Sequence, residues 1–122
     1  LALQPPKQFD PGTPEAAIQG YFQAVVDRSR VDAERFMTPK LVERCGADLN
    51  QIRDTADSLR VVIVDTEPDA GRIAVTVEIT ERSASSVFLG EPNTFSETLV
   101  VERAGDGWLI AEAPWPIYCW EA

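Results

Sequence analysis

One carboxylate interrupts an otherwise apolar row. In the segment 94–104, Phe95, Leu99 and Val101 share one face of an extended pattern, and Glu97 falls on that same face. A carboxylate among apolar side chains is the kind of group that abstracts a proton as a general base. Tyr21 offers a complementary group, a phenol on the core-facing stripe of an amphipathic segment, able to donate a hydrogen bond. Both residues also have plainer readings, and these are preferred. Glu97 stands near the start of its strand, where its side chain reaches water at the rim or turns outward at a bulge. Tyr21 is equally a core aromatic with its hydroxyl at the surface or hydrogen-bonded.

The remaining chemical inventory is thin. The chain has no histidine, which removes the commonest general base and metal ligand. No glycine loop suited to phosphate and no cluster with metal-ligand spacing stands out, so neither a cofactor nor a metal is expected. Asp54 with Asp57, and Asp65, Glu67 and Asp69, lack the spacing of a calcium loop and read as solvated turns. Phe88 and Leu89, in a serine-rich loop, form a small contact point.

Cys45 and Cys119 lie 74 positions apart and belong to no Cys-x-x-Cys pair. They are two inert buried thiols, one disulfide, or a reactive thiol. With no histidine to activate a sulfur, the reactive thiol is the weakest reading. The disulfide is favoured; it would close a loop spanning most of the chain and contribute about 4 kcal/mol in the chain-entropy model. It would also place the protein in an oxidising compartment.

The net charge is −9, and it is unevenly spread. Residues 1–58 carry seven basic and nine acidic side chains, whereas residues 59–122 carry four and eleven. Such a surface repels phosphate backbones and anionic lipids, so nucleic-acid binding and peripheral membrane binding are not expected. No apolar run approaches the length of a membrane helix. The chain begins at Leu1 rather than at methionine, so the expectation is a processed or shortened chain. Any targeting segment or membrane anchor, as in a lipoprotein, would then lie upstream of residue 1.

The elements that must position these groups follow from periodicity. Residues 1–12, with Pro5, Pro6, Asp10, Pro11 and Gly12, read as an extended lead-in, and residues 13–122 as a single domain. Thr13 and Pro14 start a helix over 14–29, with Ile18, Tyr21, Phe22, Val25 and Val26 as its core stripe. Short helices are expected at 32–37, at 39–45 after the second Thr-Pro start, and at 49–57. Gly46 is expected to end the second of these in the left-handed conformation. Beyond Leu59 the period changes to two. Strands are expected at 59–67, 72–82, 94–104 and 108–113, with turns at 68–71 and 104–107. Helices first and a sheet second describe an α+β domain with helices covering one sheet face. The aromatic tail, with Trp115, Tyr118 and Trp120, either packs over the helices or forms an exposed recognition patch; packing is preferred.

This order resembles the nuclear transport factor 2-like superfamily, of cystatin-like α+β fold. The residues that carry the resemblance are Pro14, Glu15, Ala16 and Ala17 leading into Tyr21, Phe22, Ala24 and Val25. Phe36, Met37, Thr38 and Pro39 at the connection, and Gly107, Trp108, Leu109 and Ile110 near the end, complete it. It covers residues 13–113. The resemblance implies a long N-terminal helix and short helices packed on a strongly curved, mostly antiparallel sheet. Together these form a cone with a pocket at its open end, near which Tyr21, Glu97 and Trp108 would lie. The superfamily holds ketosteroid isomerases, polyketide cyclases and dehydratases beside many catalytically silent domains, including secreted or membrane-tethered bacterial proteins of unknown function. No residue here matches a catalytic motif position by position.

The preferred expectation is therefore a non-enzymatic extracytoplasmic domain binding a partner protein or a small apolar ligand. One alternative is a small-molecule isomerase or cyclase with Glu97 as base; another is a structural accessory domain of an envelope protein. Members of the superfamily often dimerise through the outer sheet face, which here carries Thr76, Glu78, Thr98 and Glu102. Monomer and homodimer both remain open.

Overall fold

Local capping chemistry starts each helix. The computed structural model of the chain describes residues 9–46, 58–82, 93–112, 114–115 and 117. Helix α1 (Pro14–Val26) opens where the Thr13 side chain accepts from the Ala16 N–H at 3.1 Å, with proline in the first turn. Helix α2 (Arg30–Glu34) is capped by Ser29 and α3 (Pro39–Cys45) by Thr38. The expected helix over 49–57 lies outside the described residues.

Helix α1 ends earlier than periodicity suggests. Arg28 takes a left-handed φ of 56°, its N–H donates to the Val25 carbonyl, and the Ser29 N–H donates to the Ala24 carbonyl. These two bonds form a Schellman stop, in which a single left-handed residue satisfies the last carbonyls. Val26, expected in the core stripe, is the last residue of the helix, lies at the margin of that stripe and is 46% exposed. Gly46 caps α3 with φ −48° and ψ −46°, right-handed rather than left-handed as expected. The second helix also lies earlier than the expected 32–37, because Ser29 supplies the cap.

Among the described residues, four strands form one antiparallel sheet in sequence order: β1 (Ser58–Asp69), β2 (Arg72–Arg82), β3 (Asn93–Ala104) and β4 (Gly107–Ile110). Strand β1 runs through Pro68 to Asp69; proline is tolerated because β1 is an edge strand. Asp65, Glu67 and Asp69 are therefore exposed on a strand, not in a turn. The β1–β2 hairpin closes on Ala70 and Gly71, both at positive φ, 51° and 85°. That conformation strains a residue with a Cβ. Ala70→Asn is accordingly expected to raise stability by about 0.5–1 kcal/mol, read as a higher denaturant midpoint with unchanged slope. An unchanged or lower midpoint would contradict this turn geometry.

The core lies between α1 and one sheet face. Ile18, Tyr21 and Val25 meet Val75, Val77, Ile79, Leu99, Val101 and Ile110, each at most 1% exposed. At the far edge, the Ile110 N–H donates to the Phe36 carbonyl at 2.7 Å, and the Thr38 N–H to the Ile110 carbonyl at 2.9 Å. The connection before α3 thus pairs with β4 and shields that edge. Strand β4 ends at Ile110, short of the expected residue 113, although the Ala111 N–H still donates to the Val100 carbonyl.

Candidate functional site

Strand register fixes where the proposed base sits. Val77 faces Glu97, flanked by the pairs Ile79–Phe95 and Val75–Leu99. Because paired residues share a face, Glu97 lies on the same sheet face as the core, as the alternation predicts. It is half-buried rather than enclosed, in the first half of β3, where no residue is fully buried. Among the described residues it makes no hydrogen bond and no ion pair.

Tyr21 is fully buried, and its hydroxyl donates to the backbone carbonyl of Trp115 at 2.9 Å. Burial pushes the phenol well above the ordinary tyrosine range, so it stays protonated. The Tyr21 ring meets Phe22 edge-on, with centroids 5.1 Å apart. Across the interior, the Trp115 indole leans on Phe95 with centroids 5.4 Å apart. Pro114 is buried and Ile117 is 2% exposed. Among the described residues after β4, Trp115 therefore lies over the helix-side face of the sheet, held to α1 by one hydrogen bond and to β3 by an aromatic contact. The expectation that Trp115 rests on the helices holds only for its carbonyl, while its ring sits on the sheet.

Trp108 stands apart from Glu97 along the sheet. It pairs with Arg103 at the opposite end of β3, and the guanidinium carbon stands 5.5 Å from its ring centroid. Arg103 is six positions along the strand from Glu97, roughly 20 Å at the usual rise. Trp108 thus packs against the core cluster that holds Tyr21, well along the strand from Glu97, with Arg103 over its ring. Cys45 is 1% exposed at the end of α3 and does not stand as a free thiol. Cys119, Tyr118, Trp120, Phe88 and Leu89 lie outside the described residues. Among the described residues no group of three or more metal-ligating side chains converges, and no helix is long and apolar enough to cross a membrane.

The pairing of a proton-abstracting carboxylate with a phenol donor is not assembled here. The one buried phenol proton among the described residues is already donated to a peptide carbonyl of the chain itself, so it is not free to serve a developing oxyanion. The sequence held a weak signal for that contact. Pro114 has no N–H to continue a ladder, so the strand stops and the chain turns, the Ile117 N–H donating to the Pro114 carbonyl at 2.7 Å. That turn carries Trp115 over the sheet.

No protein-family model and no curated protein matches the sequence. Solved structures do match in fold. A SEC-C motif containing protein from Rhodopseudomonas palustris superposes with TM-score 0.66 at 15% identity, covering 83% of this chain and 77% of that one. A protein from Thiobacillus denitrificans, named for a calcium/calmodulin-dependent protein kinase type II association domain, gives 0.64 at 20% identity, covering 85% and 93%. An NTF-2 like protein of unknown function from Shewanella oneidensis gives 0.55 at 13% identity, covering 79% and 93%. At these identities the likeness speaks for the fold alone: the chain has the nuclear transport factor 2-like fold.

Proposed function

We propose that this nuclear transport factor 2-like fold serves as a non-enzymatic, extracytoplasmic domain that recognises a partner protein through its outer surface. The observation that carries the reading is the segment after β4: Tyr21 donates to the Trp115 carbonyl, Trp115 covers Phe95, and Ile117 is buried. A site for a small substrate or apolar ligand needs a hollow on the helix side of the sheet, and Trp115 and Ile117 lying there speak against one. With Phe22, Val77 and Leu99 packed behind them, recognition falls to the outside. Extracytoplasmic placement rests on a Cys45–Cys119 disulfide, which the buried, non-free Cys45 supports.

The test is a titration of the oxidised protein with Nile red, a neutral apolar fluorophore, alongside Trp115→Ala. The native chain is expected to give no saturable one-to-one binding, and the variant to acquire it. A parallel assay follows conversion of a β,γ-unsaturated ketosteroid to its conjugated isomer. The expected rate equals that of buffer for both the native chain and Glu97→Gln. One-to-one dye binding by the native chain would overturn the proposal in favour of an apolar-ligand site, and turnover abolished by Glu97→Gln would overturn it in favour of the isomerase reading.

A further inference from the structure

We infer that a second copy of this chain docks on the outer edge of β1, joining two sheets antiparallel about a two-fold axis at Val62. This goes beyond the function proposed above and holds whether or not the interior takes a ligand. The sheet order leaves the two edges unequal. The β4 edge is covered by the connection Phe36–Thr38, whereas among the described residues nothing pairs with the outer edge of β1. Strand β1 is 12 residues long and carries Val61, Val62, Ile63 and Val64 in succession, with Val62 41% and Val64 54% exposed. A long edge of this kind is a template for another strand.

The bulge in β1 decides which residues meet in this register. Pairing with β2 jumps from Ile63–Val77 to Asp65–Thr76, so Val64 is the extra residue. A two-fold at Val62 places Val62 against its symmetry mate and Val61 against Ile63 of the other copy. With Val64 passed over on both strands, Arg60 then meets Asp65, and Leu59 meets Thr66. Every opposed pair lies on a common face, as antiparallel pairing requires. Leu59, Val61, Ile63 and Thr66 pair across β2 with core-facing positions or their continuation, while Arg60, Val62 and Asp65 pair with Thr80, Glu78 and Thr76 on the outer face.

Charge complementarity names a second copy as the occupant. The two-fold makes the Arg60–Asp65 contact twice, and both residues are exposed with no ion pair or hydrogen bond inside the chain among the described residues. Arg60 is one of only four basic residues after position 58, in a half that carries eleven acids. The outer sheet face is by contrast already engaged: Thr76 bonds Thr98 at 3.2 Å, Thr80 bonds Thr94 at 3.1 Å, and Arg72 bridges Glu102 and Glu112. Beyond the register, Glu67, Pro68 and Asp69 blunt the strand end and keep pairing from running on into a fibre.

Sedimentation velocity over two decades of protein concentration tests this. The native chain is expected to show a concentration-dependent monomer–dimer equilibrium. Arg60→Asp alone opposes two carboxylates at each contact, and Asp65→Arg alone opposes two guanidinium groups. Each should weaken the dimer at least about tenfold. Mixing the two variants brings opposite charges together again and should recover a heterodimer. Val62→Lys, which opposes two ammonium groups at the axis, should abolish association, with far-UV circular dichroism confirming the fold. A native chain that stays monomeric throughout overturns the inference. So does a dimer indifferent to these substitutions, or a mixture that fails to associate.

Discussion

Tyr21→Ala lowers the unfolding free energy by about 4 kcal/mol, the cost of emptying a fully enclosed aromatic site. Tyr21→Phe, which keeps the ring and removes only the donor to the Trp115 carbonyl, costs about 1–2 kcal/mol. The two substitutions divide packing from strapping. Chemical denaturation measures both, and a Phe variant as stable as the native chain would mean that the hydroxyl holds nothing. The same residue governs the alkaline limit. Unfolded tyrosine ionises near pH 10, whereas the buried phenol keeps its proton well above that. The native state thus binds more protons than the unfolded chain at alkaline pH. The stability from Tyr21 is complete below about pH 10 and declines by about 1.4 kcal/mol per pH unit above it. The decline should be shallower in Tyr21→Phe, and an identical pH profile in the two proteins would refute the assignment.

Reduction of the proposed Cys45–Cys119 bridge is the second large effect. It would release a loop of 74 positions and destabilise the chain by about 4 kcal/mol. Thermal melts with and without reductant read the loss, and alkylation with iodoacetamide under denaturing conditions reads the chemistry. No alkyl group is expected to add before reduction, and two after it. Two added without reductant would remove the bridge and, with it, the basis for extracytoplasmic placement.

The extent to which sequence revealed this fold depends on how local each signal was. The Thr13–Pro14 and Thr38–Pro39 starts were legible because capping needs only three neighbouring residues. The sheet-face position of Glu97 was legible because the strand period is two and nothing shifts β3 against β2. The end of α1 was not, because an arginine rather than a glycine adopts the left-handed stop. The Val64 bulge left no mark in a run of four β-branched residues, since each would suit either face. The contact between Tyr21 and Trp115 spans 94 positions and involves a peptide carbonyl, which carries no residue code at all. It decides how the site is read, and it is the feature least visible in the sequence.

Nuclear Overhauser contacts between the ring protons of Trp115 and Phe95 test the occupied helix-side face of the sheet most directly. The account predicts strong cross-peaks between the two rings, together with a Tyr21 hydroxyl proton slow enough in exchange to be observed. A Trp115 ring showing only contacts within its own residue, beside a rapidly exchanging Tyr21 hydroxyl, would contradict it.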